Sequence, residues 1–156
     1  MAQVNTEKHF ISWPHRFAES TAGMLKHFSM KEHGLCYLAT VYTKHADGID
    51  AAFIEACEMT AKLVKRGCSV YSPIVHSHAV SIHGNIDPLD HGRWLQFNDA
   101  MLGASQTLIV AQMAGWEESV GVTYEIDYFT YRRKPILYLD IETLSLGSTP
   151  SPLARD

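Results

Sequence analysis

Ser119-Val-Gly-Val-Thr-Tyr-Glu125 is the stretch of the chain best equipped for chemistry. It follows an apolar run, Thr107-Leu-Ile-Val-Ala-Gln-Met113, and a short polar connector, Ala114-Gly-Trp-Glu-Glu118. An apolar run bounded by turn residues reads as a buried parallel strand. The residues after Ser119 read as a helix, with Val122, Ile126 and Phe129 spaced for its inner face. Ser119 is then the N-cap, and Gly121 and Glu125 share one face a turn apart. A hydroxyl and free backbone N–H groups at a helix mouth welcome an anion. Gly121, with no side chain, lets a ligand approach the backbone closely. The arrangement suits a phosphorylated sugar, with a carboxylate near its reactive carbon.

Such a turn alone is an ordinary strand-to-helix connection, so the elements around it must supply its weight. Residues 1–33 are mixed and His-rich and read as an appended arm. Residues 34–140 read as one domain. A first strand, Leu35-Cys-Tyr-Leu-Ala39, is followed by a polar loop. Next comes an amphipathic helix with Ile49, Ala52, Phe53, Ala56, Cys57, Leu63 and Val64 on one side, ended at Arg66-Gly67. Cys68-Ser-Val-Tyr-Ser72 reads as the second strand, closed by Pro73. Residues 74–89 read as a long His/Ser/Gly loop of the kind that forms lids or binding loops. A helix from about Asp90 to Ala104 has Trp94, Phe97, Met101 and Leu102 as its apolar side. The third strand at 107–113, the Glu125 helix and a final strand, Pro135-Ile-Leu-Tyr-Leu139, complete the domain. Residues 141–156, rich in Ser and Pro, read as a loose tail.

This alternation predicts an α/β fold: a three-layer αβα sandwich around a parallel, flavodoxin/Rossmann-like sheet of four to five strands. Ligands in such folds bind at the carboxyl ends of the strands, near the switch point of the topology. The loops after Ala39 and Ser72 and the one leading into Ser119 converge there.

Composition narrows the classes of function. A chain of 156 residues with 46% hydrophobic content is one domain able to bury a core. A net charge of -4 carries no basic footprint, which argues against nucleic-acid polymers as partners. Cys36, Cys57 and Cys68 have neither paired nor metal-like spacing and read as reduced, buried thiols. No stretch approaches a membrane span, and a soluble cytoplasmic protein is expected. His76, His78, His83 and His91, with Asp87 and Asp90, lack the spacing of known zinc sites, so neither a metal nor another cofactor is expected. His76 or His78 closing over a ligand is the stronger use for them. Trp116 is a candidate for stacking at the pocket rim.

Taken together, Tyr37-Leu-Ala-Thr-Val-Tyr42, Ser72-Pro73, Asp99, Ser119-x-Gly-x-x-x-Glu125 and Arg133-Lys-Pro-Ile-Leu-Tyr-Leu139 stand in an order that resembles the nucleoside 2-deoxyribosyltransferase-like superfamily. That group includes nucleoside 5'-monophosphate N-glycosidases. Within it the chain is similar to an uncharacterised branch carrying Ser-Pro-Ile-x-His-Ser-His and Gly-Trp-x-x-Ser-x-Gly, here residues 72–78 and 115–121. The resemblance implies that Glu125 is a nucleophile attacking the anomeric carbon, and that Asp99 positions the sugar and assists departure of the base. It places Tyr37, Thr40 and Tyr42 on the loop that holds sugar and phosphate. Ser119 stands where a hydroxyl, unlike a carboxylate, tolerates a phosphate dianion. Thr40 replaces a glycine common in relatives. The implied partners are a nucleoside or nucleotide and further copies of the chain, in a dimer or higher oligomer. A nucleotide-binding module that has lost turnover is the alternative.

Overall fold

The computed structural model describes residues 33–150. The expected N-terminal arm, but for His33, and the last six residues lie outside the described residues. The described elements run β1 (Cys36–Ala39), α1 (Ile49–Lys65), β2 (Val70–Tyr71), α2 (Pro73–Gly84), α3 (His91–Ala104), β3 (Thr107–Ala111), α4 (Val120–Tyr131), β4 (Ile136–Leu139) and β5 (Leu146–Gly147). The five strands form one sheet in the order β2-β1-β3-β4-β5. All neighbours are parallel except β4 and β5. The chain therefore steps outward from β1 in both directions, and the switch point falls between β1 and β3.

β1 and β3 are buried at every residue, which explains their uninterrupted apolar sequences. Tyr37, Leu38, Leu108, Ile109, Val110 and Phe129 are among the fully buried side chains of the core cluster. Burying a side chain the size of Phe129 contributes about 2–3 kcal/mol, so a few such residues decide whether the sheet holds its helices.

α4 begins where Ser119 accepts a hydrogen bond from the Val122 N–H at 3.4 Å. It buries Val122 and Phe129, two turns apart on one stripe. It ends at Arg132, and Arg133 in the left-handed region turns the chain toward β4. At the end of α1, Gly67 takes φ +82°, a conformation open to glycine at little cost.

Several expectations are corrected. Residues 74–89 are largely helical: Ser72 caps α2 by accepting from the Val75 N–H at 3.4 Å, Pro73 fills the first turn, and Asn85 closes the helix in the left-handed region. The buried positions of α2 are Pro73, Ser77, His78 and Ser81, which is why no apolar stripe announced it. Small hydroxyls and a partnered imidazole can line an interior when their hydrogen bonds are met; Ser81 donates to the His78 carbonyl at 2.7 Å. In α1 the inner face uses Met59, whereas Val64 is 55% exposed. Phe97 is also exposed, on the outside of α3.

The expected loose tail contains β5, an antiparallel edge strand. Asp140 organises the turn into it by accepting from the Glu142 and Thr143 N–H groups at 3.0 and 2.8 Å. Arg66 ties the same turn to α1 by donating to the Leu144 carbonyl at 2.6 Å. No described helix is long and apolar enough to cross a membrane.

Candidate active site

A cavity of about 450 Å³ lies at the carboxyl ends of β1, β2 and β3. β1 leads into Thr40, Tyr42 and Thr43; β2 leads into Pro73, Ile74 and Ser77; the loop after β3 leads into Ser119, Gly121, Tyr124 and Glu125. The fourth wall is α3, whose His91, Trp94, Leu95, Asn98, Asp99 and Leu102 repeat at helical spacing. Four elements distant in sequence thus converge on one space. Of the residues singled out from the sequence, Glu125, Asp99, Tyr37, Thr40, Tyr42, Ser119 and Gly121 all line it.

The polar groups are arranged in pairs. The Tyr37 hydroxyl makes a polar contact with the Glu125 carboxylate, and the Tyr124 hydroxyl donates to Asp99 Oδ1 at 2.9 Å. Burial raises the Glu125 carboxyl to about 8, against the opposing pull of the Tyr37 hydroxyl. Near neutral pH Glu125 therefore holds its proton for much of the time. Burial and, secondarily, the Glu125 charge push the Tyr37 phenol well above its ordinary range. The hydrogen bond to Asp99 pushes Tyr124 up.

Thr40 is 94% buried, and its hydroxyl oxygen has no protein partner. A buried polar atom without a partner costs about 1–3 kcal/mol, which a ligand hydrogen bond would offset. A methyl group on Gly121 would meet only Ser119 Oγ, at 4.0 Å, so the fold does not require glycine there. Its openness serves the cavity. None of the described residues lining the cavity is Lys or Arg.

Three expectations fall outside this space. Trp116 is 94% buried in the core, packed against Tyr138 with ring centroids 5.7 Å apart, and does not reach a rim. His76 is exposed and stacks on Phe97 at 4.8 Å, on the outer side of α2 and α3. His78 is buried behind Tyr42 and forms no part of the cavity wall. Trp94 stands in the cavity instead, its indole N–H held by the Asp87 carbonyl at 2.9 Å. Trp94, Asn98 and Tyr124 were absent from the residues first singled out. The i, i+4 relation of Trp94 to Asn98 and Leu95 to Asp99 was the available signal.

Among the described residues no group of three potential metal ligands is found. The cysteines are free, with Cys36 and Cys68 buried and Cys57 half-buried. The fold and cleft are those of an α/β protein with a polar, carboxylate-bearing site at the ends of parallel strands. The chain belongs to the family described as a domain of unknown function (DUF1937), which matches residues 34–140. No curated protein matches it.

Proposed function

We propose that the protein cleaves the N-glycosidic bond of a (deoxy)nucleoside or (deoxy)nucleoside 5'-monophosphate, by hydrolysis or base transfer. The observation carrying this reading is that Glu125 and Asp99 share one cavity with the capped mouth of α4. Glycosidic cleavage passes through an oxocarbenium-like centre, which a carboxylate stabilises or captures covalently. Glu125 takes that role. A positive centre forming beside it favours the ionised carboxylate and so offsets the burial that keeps its proton on. Asp99, oriented by Tyr124, holds the sugar and assists the leaving base. Trp94 provides an aromatic face for the base. This reading carries with it the deoxyribosyltransferase-like superfamily, a three-layer sandwich, a cytoplasmic setting and assembly into homo-oligomers.

One observation favours a second reading, a nucleotide-binding module without turnover: a nucleophile largely protonated at neutral pH is a weak one. Incubation with a panel of nucleosides and their monophosphates, followed by chromatography for free base, separates the two. Release of base that disappears in Glu125→Ala is the expected result. Ligand bound and recovered intact defeats the enzymatic reading, and adding a second free base distinguishes transfer from hydrolysis.

A further inference from the structure

His78 is 98% buried, with its Nδ1 in a hydrogen bond and its Nε2 facing the carboxylate of the largely exposed Asp50. Nδ1 lies 2.8 Å from the Tyr42 hydroxyl, and Nε2 lies 3.4 Å from Asp50 Oδ1. Phe53 stacks on the imidazole at 4.4 Å with an interplanar angle of 16°, while Tyr42 meets it edge-on. The ring therefore cannot turn without breaking several contacts. An ionised carboxylate only accepts hydrogen bonds, so beside Asp50 the proton of an uncharged imidazole belongs on Nε2. Nδ1 is then an acceptor, and the bond between it and Tyr42 has one possible direction: the phenol donates. With its single proton committed inward, the Tyr42 oxygen offers only lone pairs to the cavity that Tyr42 lines.

We propose that His78 is a positioning residue that makes Tyr42 a hydrogen-bond acceptor toward the ligand, so that this part of the cavity selects a sugar hydroxyl rather than a phosphate oxygen. A phosphate oxygen is itself an acceptor and would face unpaired lone pairs. The inference rests on the nucleoside reading above for the identity of its ligand, though not for the state of the ring. The rest of the cavity agrees in sign. Asp99 adds an acceptor, and no described lining residue is Lys or Arg. Any anionic group on the ligand is left to the hydroxyls and backbone N–H groups at the mouth of α4.

The test has two arms on the full-length protein. In the first, histidine is labelled with nitrogen-15 and the His78 tautomer is read by long-range proton–nitrogen spectra without ligand. An Nε2–H ring whose Nδ1 signal moves in Tyr42→Phe, and whose tautomers mix in Asp50→Ala, is expected. An Nδ1–H ring or an imidazolium overturns the proposal. In the second arm, a Glu125→Gln background prevents turnover. Calorimetry then compares a nucleoside with its 2'-, 3'- and 5'-monodeoxy analogues and its 5'-monophosphate. One analogue is expected to lose affinity about tenfold, the worth of one hydrogen bond to a ligand hydroxyl, and Tyr42→Phe should abolish that difference. His78→Gln, which still presents an acceptor to Tyr42, should keep it, whereas His78→Leu should not. A loss in Tyr42→Phe that is equal for all ligands, or confined to the monophosphate, sinks the proposal. If none of the ligands binds, the nucleoside reading and the sugar selectivity fail together, while the first arm still decides which way the phenol donates.

Discussion

Glu125 carries the largest consequence at the scale of single residues. Its carboxyl is raised to about 8 in the folded protein from an ordinary value of 4.5. A raised carboxyl stabilises the fold below its unfolded value, and that contribution drains away as pH climbs toward the folded one. Glu125→Gln should therefore melt several degrees above the parent at about pH 8, with the gap closing toward pH 5. Thermal denaturation across that range checks it, and a constant gap would contradict the burial argument. The same ionisation predicts that kcat/KM for base release rises with pH, reaching half its plateau near 8 and levelling off above it. Tyr124→Phe removes the donor to Asp99 at the cavity wall. It should lower kcat/KM about tenfold while leaving the melting temperature nearly unchanged, because Tyr124 is partly exposed. Gly121 gives a separate test of what its openness is for. Gly121→Ala has room in the fold, its methyl group meeting only Ser119 Oγ at 4.0 Å, so stability should hold while ligand affinity falls about tenfold.

Caps and edges, rather than apolar stripes, set the geometry of the elements. Ser72→Ala should destabilise the protein by about 1 kcal/mol through the loss of the α2 cap, measured by denaturant titration. Its effect should extend to ligand binding, since α2 carries Ser77 and Ile74 into the cavity. Much of this level was legible beforehand: Ser119 as a cap, Gly67 after α1, the α3 start at Asp90 and the apolar β1 and β3 all follow local rules. α2 was not legible, because its inner face of Ser77, His78 and Ser81 reads as loop composition until its partners are known. β5 was hidden for a related reason. A two-residue edge strand exists through pairing with β4 and through the Arg66 bond to Leu144, neither of which leaves a periodic trace.

For the whole molecule, the strand order around the switch point between β1 and β3 puts the cavity at the carboxyl ends of the parallel strands, where connections leave the sheet in opposite directions. Local signals established the alternation of strands and helices, the buried central strands, and a carboxylate one and a half turns into a capped helix. These properties depend on neighbours a few residues apart, which the order of amino acids states directly. Which side chains meet across more than about 20 residues was decided only on folding: Tyr124 with Asp99, Tyr42 with His78, Trp94 into the cavity and Trp116 into the core. Such meetings depend on how each helix is rotated against the sheet. That rotation is set by the sum of many packing contacts, no one of which is written at a single position.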